Sequence, residues 1–400
     1  MSHPRWKLAK CSDIIDVRDG THDTPPKVAE GYPLVTSKNL KNGKIDFSDV
    51  TYISEESFRE VEKRSGVDDG DVLMAMIGTI GSPVLVAKEC DFAIKNVALF
   101  KLPKEKVDGS FFVHLLNSPS IWAQLNQNSR GGNQKFVSLT VLRELWIPDI
   151  PLLEQKRIAE ILDRAEALRA KRRAAPALLD ELTQSIFLDM FGDPAVNPKG
   201  FPIKVLSELY INPKDGTKCG PFGSALKKHE YVESGVAVWN MDNIDPAGRM
   251  VLPFRMWITE SKYRKLNAYS VMDGDIIISR AGTVGKMCVT KLGSLPSIIS
   301  TNLIRLRLGP NLLPIHFVSL MLYCTGRIRR LKTGTDGAFT HMSTGILDTL
   351  RFPYPPLDLQ HQFAAIVGSM DRQKETMLSQ LTELDQLFAS LQHRAFRGEL

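Results

Sequence analysis

The sequence lacks every feature that would place it in a membrane or an oxidising compartment. Its apolar runs are short, as at residues 72–77, and none approaches the ~18 residues that a membrane helix needs. The first seven residues contain no apolar segment typical of a secretion signal. The five cysteines are scattered, and no two have the CxxC spacing of a metal or redox pair. We therefore expect a cytoplasmic protein with reduced thiols, no membrane segment and no bound metal.

Catalytic signatures are also missing. The chain has no GxxxxGK[ST] nucleotide loop, and its eight histidines form no HxxxH or HxxE spacing that would suit zinc. The acidic pairs Asp69/Asp71 and Asp273/Asp275 could serve a metal nuclease, but each pair flanks a glycine directly before an apolar run. That context favours turn residues instead. The sequence thus predicts a protein without catalysis of its own.

What is present is an ordinary globular composition with an uneven charge. The 400 residues are 43% apolar and 24% charged, which predicts two or three soluble domains. Residues 201–350 carry 19 basic and 11 acidic side chains, an excess of +8, whereas residues 1–150 carry 19 and 20. This local excess permits phosphate contact but does not establish it.

The chain also repeats itself at an offset of 204–206 residues. Asp-Gly-Asp occurs at residues 69–71 and 273–275, Gly-Thr-x-Gly at 78–81 and 282–285, and Pro-Leu-x-x-Gln at 151–155 and 356–360. Because these pairs are collinear, they indicate an internal duplication. Each half has a mixed part with short β-rich runs, then a long helical segment. We predict an α+β protein with mixed domains at 1–150 and 196–355 and long helices at 151–195 and 356–400.

Both helical segments carry apolar residues at alternating steps of three and four, a pattern typical of coiled coils. The predicted seam comprises Ile158, Ile161, Leu168, Arg172, Leu179 and Leu182 in the first segment and Phe363, Ile366, Met370, Met377, Leu384 and Leu387 in the second. The alternative is two amphipathic helices, each packed on its own domain. Pro176 predicts a kink or a break in the first helix.

Taken in order, the motifs resemble those of one family. Asp-Gly-Thr-His-Asp-Thr-Pro-Pro at 19–26 and Gly-Pro-Phe-Gly-Ser-Ala-Leu at 220–226 look like the opening loops of first and second target-recognition domains. Phe-Gly-Asp-Pro at 191–194 and Ala-Phe-Arg-Gly-Glu-Leu at 395–400 look like the ends of that family's helical regions. Over essentially its whole length, the chain resembles the specificity subunit of type I restriction-modification systems.

The resemblance implies that each globular domain is a target-recognition domain for one half of a bipartite site in double-stranded DNA. The two helices would pair antiparallel as a coiled-coil spacer. The implied partners are two modification (methyltransferase) subunits, which use S-adenosylmethionine for adenine-N6 methylation, and restriction/translocase subunits, which use ATP and Mg²⁺. The active sites of adenine methyltransferases resemble the motif [Asn/Asp/Ser]-Pro-Pro-[Phe/Tyr/Trp]. This chain contains no such motif. Two alternatives remain, a two-module protein-interaction scaffold and a solitary DNA-modifying enzyme.

Polar loops supply the candidate DNA contacts. Asn and Gln can pair bidentately with adenine, and Arg and Lys with guanine. The candidates are Ser37, Lys38, Asn39, Lys41, Thr79, Arg130, Asn133 and Lys135 in the first half, and Asn240, Asn243, Arg280, Thr283, Lys332 and Thr335 in the second. Each loop could equally be an ordinary solvated loop. Met76 stands where the second half has Arg280, so the first half lacks the equivalent arginine.

Overall fold

A computed structural model of the chain describes residues 6–78, 80–128, 136–222, 225–280, 284–325 and 342–400. The chain divides into two compact units. The first unit comprises Met1–Arg173 and Leu378–Leu400, and the second unit comprises Ala174–Met377. The boundary therefore falls inside both long helices, so that each unit contains a globular part and a section of each helix.

The first unit is built from twelve described strands and six described helices, the last of which continues into the second unit. The strands are β1 (Lys7–Lys10), β2 (Asp16–Asp19), β3 (Lys27–Val28), β4 (Tyr32–Val35), β5 (Leu40–Lys41), β6 (Lys44–Ile45), β7 (Thr51–Ile53), β8 (Val72–Ala75), β9 (Gly81–Leu85), β10 (Ala93–Ile94), β11 (Val97–Lys101) and β12 (Trp146–Asp149). The helices are α1 (Cys11–Ile14), α2 (Glu55–Ser65), α3 (Gly109–Leu116), α4 (Pro119–Asn128), α5 (Leu139–Arg143) and α6 (Leu152–Phe191).

The second unit follows the same plan with fewer described elements. Its strands are β13 (Ile203–Val205), β14 (Thr217–Cys219), β15 (Tyr231–Val232), β16 (Val236–Trp239), β17 (Trp257–Ile258), β18 (Ile276–Ser279), β19 (Met287–Val289), β20 (Ser297–Ile299), β21 (Leu303–Leu306) and β22 (Arg351–Pro353). Its helices are α7 (Glu260–Lys265), α8 (Pro314–Thr325), α9 (Thr344–Asp348) and α10 (Leu357–Arg397), which ends in the first unit. Among the described residues, no helix combines the length and the apolar character needed to cross a bilayer.

The sheets of the two units correspond one to one. The order β2-β11-β8-β9 in the first unit matches β14-β21-β18-β19 in the second. The order β10-β4-β7-β3 matches β20-β16-β17-β15, with a parallel pair at β10–β4 and at β16–β20. The terminal pair β1–β12 matches β13–β22. This correspondence confirms the duplication and the α+β fold predicted from the sequence.

The central strands read as continuous apolar runs because both of their faces are buried. In β8, Val72 and Met74 point into a core shared with the helices, whereas Leu73 and Ala75 point into a second core shared with the other sheet. Successive side chains of a strand alternate between faces, so a strand covered on both sides is apolar throughout. β18 repeats this arrangement, with its first and third residues in one core and its second residue in another.

The long helices have the predicted extent, and α6 continues through Pro176 as a single helix. The break that Pro176 predicted in the first helix is therefore absent. Within the first unit, Arg157 of α6 donates to the carbonyl of Leu400 at 3.2 Å, and Arg169 binds Asp385 of α10 at 2.9 Å. Residue numbers along the two helices therefore increase in opposite directions, so the helices pack antiparallel.

The second unit contains its own section of the helix pair. Lys374 of α10 forms an ion pair with Asp180 of α6, and the Thr183 hydroxyl lies 3.2 Å from the sulfur of Met370. These contacts also run in opposite chain directions. Both sections contain charged or polar groups at the helix contact, so the pair is not held by an apolar seam alone.

The register of the seam differs from the prediction. Ile158, Phe363 and Met370 are buried, and Ile161, Leu179, Met377 and Leu384 are half-buried. The other predicted members are exposed, namely Leu168 (64%), Leu387 (65%), Arg172, Leu182 and Ile366. The helix contacts and cores instead use Ile158, Leu162, Arg169, Asp180, Thr183 and Phe187 of α6. Their spacing is about 3.6 residues per turn, as in an ordinary helix, and not the 3.5 of a heptad repeat.

The helix ends are anchored in the globular cores. The alternative interpretation, in which each helix packs on its own domain, is therefore partly correct. Ile158 and Leu162 of α6, with Ala395 of α10, lie in the first unit's core. Phe187 and Phe363 lie in the second unit's core. Because the ends of both helices must meet these cores, the buried stripe follows the globular parts as well as the opposing helix.

The glutamines of the repeated Pro-Leu-x-x-Gln motif fasten the start of each long helix. Gln155 accepts from the amide of Asp108 at 2.9 Å and donates to the carbonyls of Lys106 and Ile150 at 2.8 and 2.7 Å. Gln360 accepts from the amide of Leu313 at 2.9 Å. Both side chains are buried, so their amide groups tie α6 and α10 to the segments that begin α3 and α8.

Candidate nucleic-acid interface

The polar loops after β4 and β16 close on themselves through an asparagine. Asn39 Oδ1 accepts from the backbone N and the hydroxyl of Thr36 at 3.0 and 2.9 Å. Its Nδ2 donates to the carbonyls of Asp46 and Asp49, both at 3.0 Å. All four hydrogen-bonding positions of this buried amide are occupied. Asn39 is therefore a loop-closing residue, and we correct its interpretation as a base contact.

Asn243 has the same role at the equivalent position of the second unit. Its Oδ1 accepts from the amide of Asn240 at 2.9 Å, and its Nδ2 donates to the carbonyl of Val251 at 3.0 Å. Asn243 is buried like Asn39, so the same correction applies. Asn240 is half-buried, and its side-chain oxygen accepts from the amide of Met241 at 2.8 Å.

The other candidates in the first of these loops lie closer to solvent. Lys38 is exposed and Ser37 is half-buried in the short 3₁₀ turn Ser37–Asn39. Lys41 is exposed, and its ammonium lies 2.9 Å from Asp46 Oδ2. The hydrogen bond with Asp46 raises the pKa of Lys41. Both lysines remain available to a phosphate, although Lys41 would first have to leave its carboxylate partner.

A second pair of equivalent loops follows β2 and β14. In each loop a glycine approaches another backbone segment, in β10 or just after β20, so closely that a side chain would collide. A Cβ on Gly20 would lie 2.3 Å from the carbonyl oxygen of Ile94, and one on Gly220 would lie 1.9 Å from that of Ser300. Only glycine permits this approach. Close packing at the glycine therefore fixes the backbone of each loop at the point from which the following residues extend.

In the second unit this loop presents Phe222, which is 55% exposed. The guanidinium carbon of Arg280 lies 4.8 Å from the centre of the Phe222 ring. Arg280 is half-buried at the end of β18, where its amide donates to the carbonyl of Asn302 at 3.0 Å. A cation held over an aromatic ring is an attractive arrangement.

The first unit presents His22 where the second presents Phe222. His22 Nδ1 lies 3.0 Å from Asn96 Oδ1, and Nε2 lies 2.9 Å from Asp19 Oδ2. Met76, which stands in place of Arg280, is buried in the core. The first unit therefore has a hydrogen-bonded histidine at this loop, and the buried Met76 in place of Arg280.

The acidic pairs of the Asp-Gly-Asp motifs belong to turns, as the sequence context favoured. Asp71 accepts from the amide of Asp68 at 2.7 Å and binds the Lys101 ammonium at 2.7 Å. Asp275 accepts from the amide of Met272 at 2.8 Å and binds Arg307 through both carboxylate oxygens. These hydrogen bonds with Asp275 raise the pKa of Arg307.

Lys101 of β11 therefore neutralises Asp71, and Arg307, just after β21, neutralises Asp275. In the part of the chain that the structure describes, no cluster of three or more His, Cys, Asp or Glu side chains could hold a metal ion.

Seven of the candidates lie outside the described residues, namely Thr79, Arg130, Asn133, Lys135, Thr283, Lys332 and Thr335. The sequence alone supports them, and they remain predictions.

The comparison with protein families decides between the remaining alternatives. Residues 5–175 and 223–386 match the family described as type I restriction modification DNA specificity domain. The chain belongs to this family. The two matched segments include most of both globular parts, which agrees with the duplicated sheets.

Individual relatives agree with the family match. The chain is 24% identical over 398 residues to the type I restriction enzyme StySPI specificity subunit of Salmonella potsdam, covering 92% of this chain and 82% of that protein. It is 23% identical over 404 residues to the EcoKI specificity subunit of Escherichia coli K12, with the same coverage. A solved structure of a type I R-M system, described in terms of complex assembly and conformational transition, matches with a TM-score of 0.65 over 100% of both chains. At 18% identity, that likeness shows the fold alone.

Sequence reasoning did not select His22 or Phe222, the side chains that lie two residues after the closely packed glycines. Both residues lay inside the motifs that carried the family resemblance, but polar loops were chosen for their amide and ammonium donors. The close glycine before each residue was the available signal, because it indicates a loop fixed against the sheet.

Proposed function

We propose that this chain is the DNA sequence-specificity subunit of a type I restriction-modification complex. The match of the specificity-domain family to both halves carries the proposal. In this function each unit binds one half of a bipartite site in double-stranded DNA. The loops with Phe222, Arg280, His22, Lys38 and Lys41 supply the described part of the contact surface.

The chain's contribution is recognition, and the chemistry belongs to its partners. We propose that two modification subunits bind the duplicated chain, one for each unit, and bring S-adenosylmethionine for adenine methylation. Restriction/translocase subunits bring ATP and Mg²⁺. The chain itself holds no cofactor in this proposal, and the complex acts on DNA in the cytoplasm. The relatives' names support neither a protein-interaction scaffold nor a solitary modifying enzyme.

The test is to express the chain with its modification subunits and to map methylated adenines across a genome that lacks other methyltransferases. We expect methylation at one asymmetric site with two defined blocks separated by unspecified bases. The matched control omits this chain and should give no methylation at that site. Methylation without sequence preference, or unchanged methylation in the control, would contradict the proposed function.

A gel shift separates the chain's own affinity from that of the complex. DNA carrying the mapped site and DNA with both blocks scrambled are compared with and without the modification subunits, at two salt concentrations. We expect the complex to prefer the mapped site. Phosphate contacts weaken with salt on both DNAs, whereas the preference ratio reports base contacts.

A further inference from the structure

Phe222 is 55% exposed, the largest value among the described Phe, Tyr and Trp residues. Its loop is fixed, because the Gly220 amide donates to the carbonyl of Leu303 at 2.9 Å and a Cβ at Gly220 would collide with Ser300. The ring therefore lies two residues after a backbone position that is held by close contacts. A partner that covered this ring would remove apolar surface from water, which is favourable.

Arg280 completes an unusual pair with this ring. Its backbone is anchored on both sides, by Asn302 at 3.0 Å and by the amide of Met342 at 3.2 Å. Its guanidinium is held against Phe222 at 4.8 Å, and its Nη1 atom is buried without a hydrogen-bond partner among the described residues. A buried donor without an acceptor costs free energy that a ligand acceptor would recover.

We propose that Phe222 and Arg280 together read two adjacent base pairs in the half-site of the second unit. Arg280 donates to O6 and N7 of a guanine, and the Phe222 ring contacts the 5-methyl group of a neighbouring thymine in the major groove. This assignment rests on the proposed function, because it requires the second unit to bind DNA by sequence.

The first unit provides the matched control. Its equivalent loop carries His22, which is hydrogen-bonded to Asn96 and Asp19, and its equivalent of Arg280 is the buried Met76. The first unit therefore cannot form the same pair. A change at His22 should leave the reading of the second half-site unaltered.

The experiment uses the full chain with its modification subunits and short duplexes that carry the mapped site. Each thymine of the second half-site is replaced in turn by deoxyuridine, which lacks only the methyl group. For the unchanged chain, one replacement should weaken binding about fourfold, the value expected for one buried methyl group. Phe222→Ala should bind the thymine duplex about fourfold more weakly and show no further loss with deoxyuridine at that position.

Three further variants complete the design. Phe222→Leu should retain part of the deoxyuridine effect, because leucine also offers an apolar contact. Arg280→Ala should lower the preference for the adjacent guanine about tenfold. His22→Ala should leave both the deoxyuridine effect and the guanine preference unchanged. Thermal unfolding of each variant establishes that the second unit is still folded.

The proposal is overturned if the second half-site has no guanine beside a thymine. It is also overturned if deoxyuridine has no effect on the unchanged chain, or if folded Phe222→Ala keeps the full effect. These results leave the proposed function intact, provided the unchanged complex still prefers its mapped site. If that preference is itself absent, both proposals fail.

Discussion

In the first unit Phe111 packs against Phe396, and in the second unit His316 packs against Phe191. His316 is 205 positions from Phe111, and Phe191 is 205 positions from Phe396. The rings meet edge to face in both units, with centres 5.6 Å apart in the first and 4.6 Å in the second. His316 is buried, and neither of its ring nitrogens has a hydrogen-bond partner among the described residues. The duplication has thus kept the position and orientation of a ring while its chemistry changed.

A second difference concerns buried charge. In the first unit, Asp71 is neutralised by Lys101. The second unit uses Arg307 for Asp275 and adds the almost fully buried Arg305, which pairs with Asp215. Burial lowers the pKa of Arg305. The second unit therefore depends more on complete pairing of charges in its interior, and it should be the more sensitive of the two to their removal.

The largest effect is expected from Arg307→Met. This change leaves the buried Asp275 without its cation, and breaking a buried ion pair from one side costs about 3–5 kcal/mol. Lys101→Met in the first unit should cost about 2 kcal/mol, because the lysine is partly exposed. Hydrogen exchange followed by mass spectrometry measures the stability of β18 and of β8 separately. Equal losses in the two units would mean that the additional arginine network has no energetic consequence.

The next effect depends on pH. Burial lowers the pKa of His316 from 6.5 to about 4. Because the folded pKa lies below the unfolded value, the second unit is fully stabilised above pH 6.5 and loses about 3 kcal/mol as the pH falls to 4. His316→Phe should remove this loss, and Phe111→His should introduce one in the first unit. Urea unfolding at pH 7.5 and 4.5 is the measurement. If His316→Phe leaves the acid sensitivity of the second unit unaltered, another group controls it.

An intermediate effect separates loop closure from base reading. Asn39→Ala removes the four hydrogen bonds of a buried side chain and should destabilise its loop by about 2–3 kcal/mol. Asn243→Ala removes two of those described and should cost about 1–2 kcal/mol. Neither variant should change the methylated sequence at a temperature where the chain is folded. A changed sequence with unchanged stability would restore the interpretation of these asparagines as base contacts.

The smallest effect tests the register of the helix pair. Leu168→Ser changes an exposed side chain and should alter the free energy of unfolding by less than about 0.5 kcal/mol. Leu162→Ala, six residues earlier and fully buried, should cost about 2–5 kcal/mol. Thermal unfolding of the two variants decides the matter. A larger loss for Leu168→Ser would favour the heptad seam that the sequence predicted.

Much of the architecture was predictable because it depends on patterns that recur. The apolar runs of β8 and β18, the Asp-Gly-Asp turns before them and the extent of the long helices all follow from local chemistry. The seam was not predictable in detail, since Leu162 and Leu168 are equally apolar and only the position of the globular core distinguishes them. Asn39 misled for a related reason: the amide group that can read adenine also closes loops, and its sequence context does not tell the two roles apart.

The division of the chain has a consequence for its synthesis. Leu378–Leu400 belongs to the first unit, and within it Ala395 lies in the core and Phe396 packs against Phe111. The ribosome makes this segment after the whole of the second unit. Most domains fold in the order in which they emerge, but this one cannot fill its core until that later segment has been made. The second unit, Ala174–Met377, emerges whole beforehand. The first unit is therefore begun before the second unit and completed after it, and a nascent chain arrested before Leu378 would expose apolar surface on the first unit.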